Sequence, residues 1–198
     1  MTNHVLRIRR LTSAVLAVAT VGLVLATKVH GQPPLPLRLS AFAVNMSNVG
    51  PTGATRIDIT IQRWSTDADR QGLLTTFFEK GPDKLLDALQ DAKSVGRVNA
   101  PGNLGWDLRY ARYHALPDGG SRIVILTDRR VEFWEARNQP RTIDYPFTLI
   151  DLRLKADGTG EGKASVATKI TYNKKTNAVE LENYASEPVR LNNVKMEK

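Results

Sequence analysis

Between Ile57 and Gln62 apolar and polar side chains alternate strictly: Ile57, Ile59 and Ile61 interleave with Asp58, Thr60 and Gln62. A period of two is the signature of a strand with one face buried and one face wet. The stretch 37–45 ahead of it is also extended, and Gly50-Pro51-Thr52-Gly53 supplies a turn between them. The pattern therefore predicts an opening hairpin.

The period then changes to that of a helix. Thr66 and Asp69 have the spacing of a capping box, with Asp in place of the usual Glu, and Asp67 suits the positive end of a helix. Leu73, Leu74, Phe77 and Phe78 form one apolar face. Gly81-Pro82 ends the first helix and starts a second, whose apolar face is Leu85, Leu86 and Leu89. Helices this short are marginal alone, so the helical hairpin, over about 66–93, is expected to pack on the sheet.

From Val95 onward the chain returns to strands, predicted near 95–99, 106–114, 121–128, 147–155, 163–172, 178–184 and 188–194. Turn-forming groups separate them, among them Pro117-Asp118-Gly119-Gly120 and Asp157-Gly158-Thr159-Gly160. Short turns between closely spaced strands favour antiparallel meanders over βαβ units. Ile123-Val124-Ile125-Leu126 is apolar without a break, as in a strand covered on both faces, with the helices as one cover. The expected fold is mainly β (α+β): an antiparallel barrel or strongly bent sheet with one helical hairpin inserted after the second strand. It occupies a single domain, 37–198.

The first 31 residues follow a different logic. Arg7, Arg9 and Arg10 precede an uncharged, mostly apolar run from Leu11 to Thr27, and small residues lead to Val29-His30-Gly31. This is the layout of a secretory signal peptide, with cleavage expected near Gly31 and a Pro-rich linker over 32–36. The run is 17 residues long, short of the about 20 that a spanning helix needs. A retained anchor is the alternative, and the only membrane contact expected. The location implied is periplasmic or secreted.

Cleavage changes the charge. The whole chain has 28 basic and 20 acidic side chains, a net +8. Residues 1–31 take away four cations and no carboxylate, leaving 24 against 20, or +4. So mild an excess on an exported domain argues against a nucleic-acid partner. The chain has no cysteine, which removes disulfides, thiolate metal sites and lipidation of cysteine, and points to a bacterial envelope.

Candidate chemistry is sparse. Of three histidines only His114 follows the leader. A zinc site of the usual kind wants several His or Cys ligands, and the 157–161 turn lacks the spacing of a calcium loop. No metal or cofactor is expected. There is no G-x-S-x-G, and a Ser-His-Asp triad has only His114 to draw on, so no catalytic residue is assigned. Asp128, Glu132, Glu135 and Asp144 are close in sequence but interleaved with Arg129, Arg130, Arg137 and Arg141, which suits mutual pairing.

Between Ser94 and Leu154 every cation is arginine, whereas the cations just before are Lys80, Lys84 and Lys93 and those just after are Lys155, Lys163, Lys169, Lys174 and Lys175. Arginine makes planar bidentate contacts with carboxylate or phosphate and stacks on aromatic rings. The same stretch contains Trp106, Tyr110, Tyr113, Phe133, Trp134, Tyr145 and Phe147. Strict alternation along 107–114 puts Tyr110, Arg112 and His114 on one face and Asp107, Arg109 and Tyr113 on the other. The candidate binding residues are Tyr110, Arg112, His114, Arg129 and Trp134. The competing reading is that the arginines pair with local carboxylates and cover core aromatics.

Three strings, Gln62-Arg63-Trp64-Ser65-Thr66, Asn138-Gln139-Pro140-Arg141-Thr142-Ile143-Asp144-Tyr145-Pro146-Phe147 and Glu180-Leu181-Glu182-Asn183-Tyr184, together resemble a family of small, exported, uncharacterised bacterial proteins. The resemblance covers most of the domain after the leader. It implies export and carries over no activity and no site residue.

The leading expectation is a non-enzymatic exported domain that binds an anionic or glycan ligand, or an envelope partner, through the arginine-aromatic segment. One rival is a carboxylate-dependent hydrolase of envelope glycans, which requires two acidic groups facing across a cleft. The other is an assembly protein that recruits a chain through an exposed sheet edge.

Overall fold

The computed structural model describes residues 31–45, 53–81, 83–102, 104–129, 147–166, 168–173, 178–183 and 189–197. Strands β1 (Leu37–Asn45) and β2 (Gly53–Ile61) pair along their whole length, Leu37 opposite Ile61 and Asn45 opposite Gly53. Helix α1 (Asp67–Thr75) follows, then one wider π turn (Thr76–Lys80) and helix α2 (Asp83–Asp91). The capping box forms as its spacing implied: the Asp69 N–H donates to Thr66 Oγ1 at 3.1 Å, and the Thr66 N–H donates to the Asp69 carboxylate at 2.8 Å. The predicted apolar face is modified by the π turn, whose extra residue shifts the helical phase. Phe77 is buried, while Phe78 is 50% exposed.

Beyond the helices come β3 (Gly96–Asn99), β4 (Trp106–Ala115), β5 (Ser121–Thr127), β6 (Thr148–Leu154) and β7 (Thr159–Val166). Then follow β8 (Thr168–Asn173), β9 (Ala178–Asn183) and β10 (Val189–Glu197). Eight of these strands close an antiparallel barrel in the order β1-β10-β7-β6-β5-β4-β3-β2. Strands β8 and β9 form a separate two-stranded sheet. The stretch expected as one strand over 163–172 is therefore two, belonging to different sheets. The sequence pattern sets both Lys163 and Lys169 against strands carrying Glu180 and Glu182. Lys169 does lie opposite Glu182, whereas Lys163 stands on the barrel, opposite Asp151 on one side and Arg190 on the other.

The interior is a packed core. Ile57, Ile59, Ile61, Ile123, Ile125 and Ile150 are fully or almost fully buried. An eight-stranded barrel has just room for its own side chains, provided that large and small ones alternate around it. Here the small ones are Ala41, Ala43, Ala111 and Ala164, with Gly160 and Gly162 at inward register positions on β7. Apolar groups fill the inside, and outward positions on β2, β5 and β6 carry charged side chains such as Asp58, Arg122 and Arg153.

A second apolar cluster lies outside the barrel wall, where Phe77, Leu85 and Leu89 of the helical segment pack on Tyr110, Leu126 and Phe147. This accounts for the unbroken apolar run on β5. Ile123 and Ile125 point into the barrel, and Leu126 points out beneath the helices.

Strand β3 is short, so β4 runs past it beyond Leu108 without a strand neighbour on that side. Ser65 fills the seam: its N–H donates to the Ala111 carbonyl at 2.8 Å, and its hydroxyl oxygen accepts the Ala111 N–H at 3.0 Å. Trp64 beside it packs on the core and meets Tyr113 at a ring separation of 5.9 Å.

Candidate binding surface

On β4 strict alternation fails at one residue. Leu108 stands opposite Thr127 but Tyr110 stands opposite Leu126, so Arg109 is an extra residue, a bulge. Leu108 belongs to the barrel core, whereas Tyr110 faces outward into the helix-covered cluster. From there on, alternation resumes with Ala111 inside and Tyr110, Arg112 and His114 outside.

The bulge has a structural use. Arg109 Nε and Nη2 both reach the buried Asp128 carboxylate at 2.9 Å, and Nη1 donates to the Ala92 carbonyl beyond α2 at 2.9 Å. One guanidinium thus joins β4, the end of β5 and the helical hairpin.

The sequence-predicted residues are distributed as follows. Tyr110 is buried under the hairpin, and that burial pushes its hydroxyl pKa up against the opposing pull of Arg112. Arg112 donates to Asp67 at 2.5 Å, which raises its own pKa, and its Nη1 is buried with no hydrogen-bond partner among the described residues. His114 lies opposite Arg122, and burial, then Arg112, Arg122 and Arg70, lower its pKa. Arg129 sits beyond the far end of β5, 3.4 Å from Asp128. The strand from Arg122 to Thr127 alone rises about 17 Å, so Arg129 does not converge with His114. Trp134 lies outside the described residues, as do Glu132, Glu135, Asp144, Arg130, Arg137 and Arg141.

The His114 environment has a measurable consequence. Above its ordinary value of 6.5 the ring is neutral in folded and unfolded chains alike. Below it the unfolded chain takes the proton more readily, so stability falls as pH drops and the loss is complete below the lowered folded value. The stability difference between wild type and His114→Gln is expected to change across about pH 7.5 to 5, as read by denaturant titration. A constant difference would contradict the assigned surroundings of the ring.

Arg112 and His114 border a larger basic surface. Four consecutive barrel strands present cations outward at neighbouring positions: Arg122 on β5, Arg153 on β6, Lys163 on β7 and Arg190 on β10, with Lys195 farther along β10. Arg122 is directly opposite Arg153, and Lys163 is directly opposite Arg190. Directly opposed like charges destabilise a sheet, an effect moderated here because Arg153 and Lys163 stand opposite Glu161 and Asp151 on their other sides. Asp151 relieves one pair by accepting two bonds from Arg122 at 2.8 and 2.9 Å. Arg153, Lys163 and Arg190 make no ion pair among the described residues. Four cations against Asp151 and Glu161 leave a local charge of +2.

Arg153, Lys163 and Arg190 line an open depression of about 700 Å³ with Asp151, Glu161 and Asn192. At its edge β10 carries a bulge: the register shifts between Leu191 and Val194, and Asn193 takes a left-handed φ of 52°. A second groove, about 950 Å³, runs between the helices. There Arg63 pairs with Asp69, Lys84 with Asp87 and Arg109 with Asp128, and Lys80, Lys93 and Asp91 complete its charged lining.

Sequence reasoning did not single out Arg153, Lys163 and Arg190. They come from three strands, and only the register brings them together. The one signal in the sequence was that each occupies the outward phase of its own strand.

Compared with known proteins, the chain matches no family model, no curated protein and no solved structure.

Proposed function

We propose that the protein is an exported domain, freed of its first 31 residues by cleavage near Gly31. It works in the periplasm or outside the cell as a non-enzymatic binder of anionic glycan. The leader pattern and the family resemblance support export. The binding reading rests on one observation: opposed like-charge pairs on adjacent strands, with three cations lacking ion-pair partners among the described residues. A ligand carrying sulfate or carboxylate groups removes that repulsion, and arginine holds such groups bidentately.

The test uses heparin as the anionic glycan and the protein recovered after export. Wild type is expected to bind with an affinity that falls as salt rises, because exposed charge is screened. Arg153→Ala combined with Lys163→Ala is expected to weaken binding about tenfold without lowering the melting temperature, since both side chains lie on the outer face of the barrel, hold no ion pair among the described residues and each stand opposite another cation. Equal affinity of the variant and wild type by calorimetry would sink the reading.

A further inference from the structure

The cation ladder also constrains the shape of the ligand, and this step rests on the anionic-glycan reading above. We infer that the ligand is a linear acidic polysaccharide that lies across the strands and wraps part of the barrel, touching Arg122, Arg153, Lys163 and Arg190 in turn.

The register defines the path. Arg122 and Arg153 share one lateral row, Lys163 and Arg190 share another, and the path steps by two residues between β6 and β7. Neighbouring strands lie about 4.8 Å apart, so three intervals span about 14 Å along the wall, before the side chains fan outward. That exceeds the reach of a single anionic group. It calls for a ligand with repeated charges at roughly the strand spacing.

Curvature chooses between polymer and membrane. Eight strands close the barrel, so each interval turns the wall by about 45° and the four cations spread over about 135°. A planar anionic bilayer meets one or two such strands at a tangent and leaves the others behind. A flexible chain follows the curve. The depression lined by Arg153, Lys163 and Arg190 gives it a seat along the last three cations of the path.

Heparin oligosaccharides of graded length, from disaccharide to dodecasaccharide, test this directly. Affinity is expected to climb with length and level off once the chain spans the ladder, each exposed contact contributing up to about fivefold. Arg190→Ala removes a terminal, exposed cation. It is expected to cost the long oligosaccharides about two- to fivefold and the disaccharide, which can sit on Arg153 and Lys163 alone, less. A disaccharide that binds as tightly as the longest chain would overturn the transverse path while leaving the basic site standing. No binding at any length would overturn both readings. Tight binding to phosphatidylglycerol vesicles, with none to the oligosaccharides, would overturn the polysaccharide and assign the surface to a membrane.

Discussion

Alanine in place of Gly160 is expected to lower stability by about 3 kcal/mol, a drop of roughly 6–12 °C in melting temperature for a domain of this size. Gly160 is on β7 opposite Leu154, at an inward position where the barrel wall needs a residue without a side chain. A Cβ there would land on the Arg153 carbonyl oxygen and lie 2.9 Å from the Leu154 Cα. Both contacts are backbone atoms of the adjoining strand, so no rotamer change relieves them, and β6 and β7 must part. Gly72 is the internal control. It lies on the exposed face of α1, and a Cβ added to it would meet nothing within 4 Å. Alanine there should stabilise by about 0.5–1 kcal/mol through helix propensity. Thermal melts of the two variants read both effects. A Gly160→Ala protein as stable as wild type would mean that β6 and β7 do not pack as described.

Arg109→Met is expected to cost about 3–5 kcal/mol. Methionine replaces much of the apolar stem but leaves Asp128, whose side chain is only 5% exposed, without its closest cation. The remaining partner, Arg129, is 3.4 Å away and 64% exposed, so its compensation is weak. The Ala92 carbonyl also loses its donor, which loosens the helical hairpin where it meets β4. The double variant Arg109→Met with Asp128→Leu removes the stranded charge and should recover most of the loss, because a buried ion pair is costly mainly when only one half is removed. Denaturant unfolding of the single and double variants separates the two contributions. A double variant no better than the single one would place the cost in the lost tie to α2 instead of the buried carboxylate.

Much of the fold was legible because it depends on local chemistry. Ile57, Ile59 and Ile61 alternate because a barrel strand has one wet face, and Thr66 with Asp69 announces a helix start through bonds that span three residues. The apolar run on β5 announced two covers, and the barrel core and the helices supply them. Alternation misled at Arg109, since a bulge depends on what the neighbouring strand needs and leaves no period of its own. The division of 163–172 between two sheets escaped for a similar reason: β7 and β8 read as one extended stretch until each finds its partner.

The amino-acid order by itself determined the strand-rich class, the helical hairpin and its position after the second strand. Each depends on residue type and spacing within a few turns of chain. Tertiary structure alone decided that the barrel closes, that Gly160 and Gly162 make room for its core, and that Arg122, Arg153, Lys163 and Arg190 form a single surface. Those four residues are up to 68 positions apart in sequence. Their proximity comes from strand register, which is set by how the whole set of inward side chains packs.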